Sequence, residues 1–257
     1  GGAVLLDPSR GTGFCASVSR SGGDARLAGF LFGTCVVAGK DPEGKDREGK
    51  DMGFYEKYIV PRIINVACGT KPISYQRRKV VPQAEGRILE IGIGTGLNLE
   101  YYDPSKVEKL IGLDPSEESW RIAGDRAKDL PFDVEFIGLP GEEIPLDANS
   151  VDTVLVTFSL CTIPEPEKAL EGMRRVLRPG GKMIFCEHGA APDAGVRKWQ
   201  DRVNPVWKAV CGGCNLNREI PSIIESSGFK IGKLETMYLP STPKIAGFNY
   251  WGAAEAR

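Results

Sequence analysis

Leu89-Glu90-Ile91-Gly92-Ile93-Gly94-Thr95-Gly96-Leu97-Asn98-Leu99 is an apolar run that meets an acidic residue and then three alternating glycines. A buried strand reads this way when it ends against a ligand that must lie on bare main chain. Without a Cβ, Gly92, Gly94 and Gly96 take positive φ readily and let a bulky group approach backbone N–H groups. Open α/β sheets hold their ligands at this location, outside the carboxyl ends of parallel strands. The signal is nucleotide-like.

A dinucleotide fingerprint requires Gly-x-Gly-x-x-Gly, with the third glycine packing helix on strand and a pyrophosphate on the helix N-terminus. Here the third glycine comes one residue early, and position 97 is Leu. Lys109-Leu110-Ile111-Gly112-Leu113-Asp114 reads as a second short strand ending in a carboxylate, suitably placed to accept both hydroxyls of a ribose. Dehydrogenases share that carboxylate, so Asp114 alone does not discriminate between nucleotide-like ligands.

At 257 residues and 41% hydrophobic content, the chain can bury one full α/β core and carry an extension. The formal net charge of −1 supplies no general field for nucleic acid or an anionic membrane. Its seven cysteines (Cys15, Cys35, Cys68, Cys161, Cys186, Cys211, Cys214) are odd in number and scattered through apolar stretches. They read as reduced thiols of a cytoplasmic protein rather than a disulfide framework. The apolar run from Leu27 to Ala38 is too short to span a membrane.

Residues 1–39 are rich in Gly, Ser and Arg and hold no periodicity for long. They are expected to be poorly ordered or foreign to the fold. The Glu-Gly-Lys-Asp repeat at 43–46 and 48–51 predicts a solvated linker, so residues 1–51 form an extension and 52–257 the catalytic domain. Phe54, Tyr58, Ile59, Ile63 and Val66 recur at helical spacing and predict an amphipathic helix over 54–67. Strands follow at 87–91, 109–113, 133–137, 151–157 and 182–187, with helices from about 97, at 116–129 and at 166–177. Pro115-Ser116 before two glutamates marks a helix start, and Pro179-Gly180-Gly181 a stop. The alternation predicts a doubly wound α/β sheet. Helices at 194–211 and 217–227, and strands at 229–239 and 245–253 paired antiparallel at the sheet edge, complete it.

With Glu90-x-Gly-x-Gly-x-Gly as its first motif, the chain resembles the class I S-adenosylmethionine-dependent methyltransferases. Leu-Asp-Pro-Ser (113–116), Gly-Glu-Glu-Ile-Pro-Leu (141–146), Ser-Val-Asp (150–152), Arg-Arg-Val-Leu-Arg-Pro-Gly-Gly (174–181) and Cys-Glu-His-Gly (186–189) extend the likeness over about four fifths of the chain. Phe-Ser-Leu-Cys-Thr-Ile (158–163), Glu187-His188 and Gly-Gly-Cys-Asn-Leu (212–216) resemble, more narrowly, a bacterial branch related to the microsomal thiol methyltransferases of animals. That branch is grouped loosely with quinone-biosynthesis and phospholipid methyltransferases. The resemblance implies a Rossmann-like sheet with S-adenosylmethionine as cofactor and a small apolar acceptor, a thiol, a phenol or quinol, or a lipid headgroup. It further implies that Glu90, Gly92, Gly94 and Gly96 hold the methionine part, Asp114 the ribose, and Pro115 and Ser116 the neighbourhood of the adenine. Where relatives carry an Asp for the adenine amino group this chain has Pro140, which leaves the backbone of Gly141 and the side chain of Glu142.

A sulfonium methyl already has a good leaving group, so the protein mainly aligns acceptor, carbon and sulfur in a dry pocket, which can supply on the order of 7–11 kcal/mol. Acceptor-side candidates lie just past strand ends: Phe158 and Cys161, then Glu187 and His188. His188, the one histidine in the chain, is either a base for a phenol or enol or a loop residue bonded to backbone. Cys161 and Cys186 read equally as small buried hydrophobes. Cys211-Gly-Gly-Cys214 reads as a glycine-rich turn, since no second pair and no further histidine complete a tetrahedral site, and no metal is expected. Trp199, Trp207 and the valines of 196–210 form a stripe read either as core packing or, with helix 54–67, as the roof of a hydrophobic acceptor pocket. Arg77-Arg78-Lys79 is either a solvated face or a weak peripheral contact with anionic lipid. A nucleotide-dependent oxidoreductase and a non-catalytic cofactor-binding module are the competing functional readings.

Overall fold

The computed structural model describes residues 15–18 and 69–257, and everything below concerns those residues. The predicted helix over 54–67 and the linker lie outside them. Cys15–Val18, inside the stretch read as foreign to the fold, forms strand β1, antiparallel to β4 at one edge of the sheet. Helix α1 (Lys71–Val80) precedes the central strand β2 (Gly86–Ile91). Then come β3 (Val107–Leu113), α2 (Glu117–Ala127), β4 (Asp133–Ile137), β5 (Val151–Thr157), α3 (Pro166–Val176) and β6 (Leu177–His188). Helices α4 (Ala194–Val210) and α5 (Ile220–Ser226), strand β7 (Phe229–Tyr238), the single turn α6 (Lys244–Gly247) and strand β8 (Phe248–Ala256) close the chain.

The sheet order is β1-β4-β3-β2-β5-β6-β8-β7. Strands β4, β3, β2, β5 and β6 are mutually parallel, and β8 is antiparallel to both β6 and β7. Because β2 pairs with β3 on one side and β5 on the other, the winding reverses beside β2, and its carboxyl end is the switch point of the sheet. Parallel strands covered on both faces must be apolar throughout, as Leu110–Leu113 and Val154–Val156 are. Alternation sorts them: Leu89, Ile91, Ile111 and Leu113 pack with Leu170 and Met173 of α3 and Ile224 of α5. On the other face Ile88, Leu110 and Leu155 pack with Val80 of α1 and Ala123 of α2. Full burial of each large aliphatic side chain contributes roughly 1.5–3 kcal/mol.

Strands 133–137 and 151–157 match the sequence expectation. The helix expected from about 97 is only a 3-10 turn, Leu99–Tyr101, because Asp103-Pro104 follows at once and leaves no length for an α-helix. The stripe of α4 is core packing only in part: Val196 packs against the core and Val203 and Trp207 are half-buried, but Trp199, Val206 and Val210 are exposed and the fully buried residue of the helix is Gln200. Nor is Arg77-Arg78-Lys79 one solvated face. Arg78 is exposed, Lys79 lies over the Trp251 ring, and Arg77 is only 6% exposed. Among the described residues no helix is long and apolar enough to cross a membrane.

Candidate active site at the carboxyl edge of the sheet

Gly92, Gly94 and Gly96 all have positive φ (69°, 53° and 75°), as a chain that turns sharply off a strand end requires. Their surroundings differ. A Cβ on Gly92 would stand 2.2 Å from Ser159 Oγ, and one on Gly96 2.7 Å from Leu99 Cδ1. On Gly94 it would meet only the Gly92 carbonyl at 3.8 Å and Asp114 Oδ2 at 4.0 Å. Gly92 and Gly96 are therefore fixed by the protein's own packing, whereas Gly94 borders open space.

Asp114 leaves β3 next to this turn. Its Oδ2 accepts the Gly94 N–H (3.0 Å) and its Oδ1 the Ser116 N–H (2.9 Å), which orients the carboxylate toward the glycine turn. Burial pushes the Asp114 carboxyl up, against the two N–H groups that favour its charge. Ser116 caps α2 by accepting the Ser119 N–H, and Pro115 is exposed. Gly141 packs against Ile91 and Ile163 with no room for a side chain, and Glu142 accepts the N–H of Glu165 ahead of α3.

Beneath the turn lies a buried polar chain. Glu90, 1% exposed, accepts from Tyr102 Oη (2.6 Å) and from Asn98 Nδ2 (2.9 Å). Arg77 Nη1 donates to Asn98 Oδ1 (2.5 Å) and Thr157 Oγ1 (3.0 Å). Burial pushes the Glu90 carboxyl up to about 7, opposed by Tyr102, Asn98 and the nearby Arg77 cation. The Arg77 guanidinium also lies 5.2 Å from the Phe158 ring, and its Nε is buried without a hydrogen-bond partner among the described residues. A buried cation with an unused donor beside a carboxylate fits a zwitterionic ligand. Sequence gives Arg77 only a surface role and does not mark Asn98, because their joining to Glu90 and Thr157 requires the helix Lys71–Val80 to fold back over β2.

On the other side of the switch point, Phe158 takes φ 54°, an uncommon conformation for an aromatic residue. The turn after it is held from three sides. Glu187, fully buried, accepts the N–H groups of Ser159 (2.7 Å), Leu160 (3.0 Å) and Cys161 (3.3 Å). Asn215 donates its N–H and its Nδ2 to the Cys161 carbonyl, both at 2.9 Å, and Arg218 Nη1 donates to the carbonyls of Leu160 and Ile163. Burial pushes the Glu187 carboxyl up, with the three N–H groups and His188 acting against it. Glu187 thus positions the turn.

His188 ends β6 and its Nε2 lies 3.1 Å from Cys214 Sγ. Burial disfavours its cation, but Cys214 and Glu187 prevail and the net shift is upward. Cys214 in turn contacts Cys161, and that contact together with burial raises its thiol pKa. Cys186 is inert: it is fully buried, and burial pushes its thiol up to about 12. Cys211 stands apart from the Cys161, His188 and Cys214 group.

Residues 89–185 match the family described as a methyltransferase domain. The human thiol S-methyltransferase TMT1B is 33% identical over 183 residues, covering 67% of this chain and 75% of that protein. A demethylmenaquinone methyltransferase of Clavibacter sepedonicus is 34% identical over 129 residues, 48% of this chain and 50% of that one. A solved S-adenosylmethionine-dependent methyltransferase from Thermotoga maritima superposes with a TM-score of 0.56 at 21% identity, over 79% of this chain and 98% of its own. These matches set aside the oxidoreductase and the non-catalytic module. An alignment reaching across two thirds of this chain and three quarters of a TMT1 protein decides the family: the chain belongs to the S-adenosylmethionine-dependent methyltransferases, and S-adenosylmethionine is its cofactor.

Proposed function

We propose that this enzyme methylates a small apolar thiol at sulfur by direct in-line displacement. In this reading Gly94 and Asp114 carry the ribose, with the adenine toward Pro115, Ser116, Gly141 and Glu142. Glu90 and Arg77 face the ammonium and carboxylate of the methionine end. The acceptor approaches from the ends of β5 and β6, past Phe158.

One observation carries the choice of acceptor. The titratable side chains grouped there are two sulfurs and an imidazole, the imidazole is engaged by Cys214 and the Thr162 hydroxyl stands 3.5 Å from Cys161 Sγ, while the neighbouring carboxylate, Glu187, is occupied by three backbone N–H groups. An amine or phenol acceptor calls for a free base to take its proton. A thiol of pKa near 8.5 is already a few per cent thiolate at about pH 7 and is strongly nucleophilic. The TMT1 relatives, named for thiol S-methylation, support the same reading. The test is transfer of labelled methyl from S-adenosylmethionine across matched alkyl and aryl thiols, phenols, quinols and aminophospholipids. Thioether products are expected; methylation of a quinol or lipid amine with every thiol silent would overturn the assignment.

A further inference from the structure

Cys161, His188 and Cys214 lie 26 to 53 residues apart in sequence, yet their Sγ, imidazole nitrogen and Sγ all fall within 4.8 Å of one another. Each comes from a separately anchored element. Cys161 sits in the turn held by Glu187, Asn215 and Arg218; His188 is fixed in β6 opposite Asn249 of β8; and Cys214 receives the Trp207 indole N–H at 3.4 Å. We propose that these three side chains form a binding site for one soft divalent cation, with Zn2+ as the natural probe, and that its fourth position takes the thiolate of the acceptor.

The donor set matches the chemistry. Thiolate and imidazole suit Zn2+, and three protein ligands with one open position is the arrangement of catalytic rather than structural zinc. With Zn–S near 2.3 Å and Zn–N near 2.0–2.1 Å, the edges of such a tetrahedron are roughly 3.5–3.8 Å. Donors mutually within 4.8 Å reach those edges by side-chain adjustments of about an ångström. Binding would displace two thiol protons, and two thiolates then neutralise the ion. The Trp207 N–H aimed at Cys214 Sγ is an outer partner of the kind that orients metal ligands. Cys211, the other half of the Cys-x-x-Cys pair, is outside the group, so the sequence motif itself is not the site.

The role of the fourth position rests on the thiol reading above. An acceptor RSH would bind the cation as RS− and release its proton to solvent. Its sulfur lone pair would form the new S–CH3 bond as the methyl–sulfonium bond breaks, giving RSCH3 and S-adenosylhomocysteine. Metal coordination would keep the acceptor deprotonated at neutral pH, the function zinc performs for bound water.

The reduced protein, shown to be folded by calorimetric binding of S-adenosylhomocysteine, is titrated with Co2+, and the cobalt is then displaced with Zn2+. One equivalent should bind, with a thiolate-to-cobalt charge-transfer band and the strong visible bands of a four-coordinate ion. Cys161→Ser, Cys214→Ser and His188→Ala should each weaken binding by more than the roughly 10–100-fold that follows loss of an outer partner, whereas Cys211→Ser should not. An apolar thiol should shift the cobalt spectrum, while the matching phenol should not. Failure of the folded wild-type protein to take up either ion, or binding that survives Cys161→Ser and Cys214→Ser, overturns the site. Uptake without a thiol-induced shift keeps the site and removes the acceptor from it. Thiol methylation by protein with no metal affinity keeps the thiol reading and removes the metal.

Discussion

Replacing Gly94 by alanine separates a ligand cradle from an ordinary strand-to-helix turn. The φ of 53° makes any Cβ costly, by about 1–2 kcal/mol. Space adds nothing to that in the free protein, because the nearest atoms to the new methyl stand at 3.8 and 4.0 Å, ordinary contact distances. For a domain of this size the melting temperature should fall by roughly 2–8 °C. The methyl, however, stands beside the Gly92 carbonyl and the Asp114 carboxylate, where the proposed function puts the ribose. Overpacking an occupied site costs about 1–3 kcal/mol, which is roughly a 5- to 150-fold rise in Kd. Calorimetric titration with S-adenosylhomocysteine, paired with thermal unfolding of the ligand-free protein, reads both effects. A variant that melts lower but binds S-adenosylhomocysteine as tightly as the wild type would refute the placement.

Asp114→Asn removes the charge that the proposed function offers to the ribose hydroxyls, and hydrogen bonds to charged groups are worth about 1.5–3 kcal/mol. The Kd for S-adenosylhomocysteine should rise roughly 10- to 150-fold; an unchanged Kd contradicts the role. Glu90 is protonated at about 7 when folded against an ordinary 4.5, so between those values the folded state binds more protons than the unfolded one. Its contribution therefore makes the ligand-free protein more stable as pH falls from 8 to 5, by up to roughly 3 kcal/mol. Cofactor affinity should run the opposite way, because in the proposed arrangement the charged form faces the ammonium. Glu90→Gln should flatten both trends, and a wild-type-like pH profile in that variant excludes Glu90 as their source. Arg77→Met removes the cation that favours the Glu90 charge, so the pH midpoint of cofactor binding should move above that of the wild type; a downward move contradicts the pairing. Glu187→Gln presents an amide donor to one or more of three backbone donors. Thermal unfolding should show a loss of about 1–3 kcal/mol, and an unchanged melting temperature would deny its hold on the 159–161 turn.

The parts of this architecture that announce themselves in sequence are those whose physics is local. Gly92, Gly94 and Gly96 report a backbone conformation, Asp114 a strand end, and the apolar runs at 133–137 and 151–157 strands buried on a sheet. Helix α1 left no such mark because what it buries is Gln76, Arg77 and Val80, so no apolar periodicity reveals it. Arg77 consequently reads as a surface charge until the fold lays it against Asn98 and Thr157. The same reasoning covers the acceptor side. Phe-Ser-Leu-Cys-Thr-Ile and Gly-Gly-Cys-Asn-Leu stand out as separate motifs, but only the fold shows why they occur together: Asn215 and Arg218 clamp the turn that holds Cys161. Likewise, Cys211-Gly-Gly-Cys214 reads in sequence as an incomplete pair, and only the fold brings Cys214 together with Cys161 and His188 from the ends of the adjacent parallel strands β5 and β6 while leaving Cys211 outside the group.

The most direct test of the account is the crystal structure of the S-adenosylhomocysteine complex. It should show the ribose hydroxyls on the Asp114 carboxylate, the nucleoside over Gly94, and the amino-acid end directed toward Glu90 and Arg77. Ligand density elsewhere on the sheet, with Asp114 and Gly94 left uncovered, would contradict the central claim.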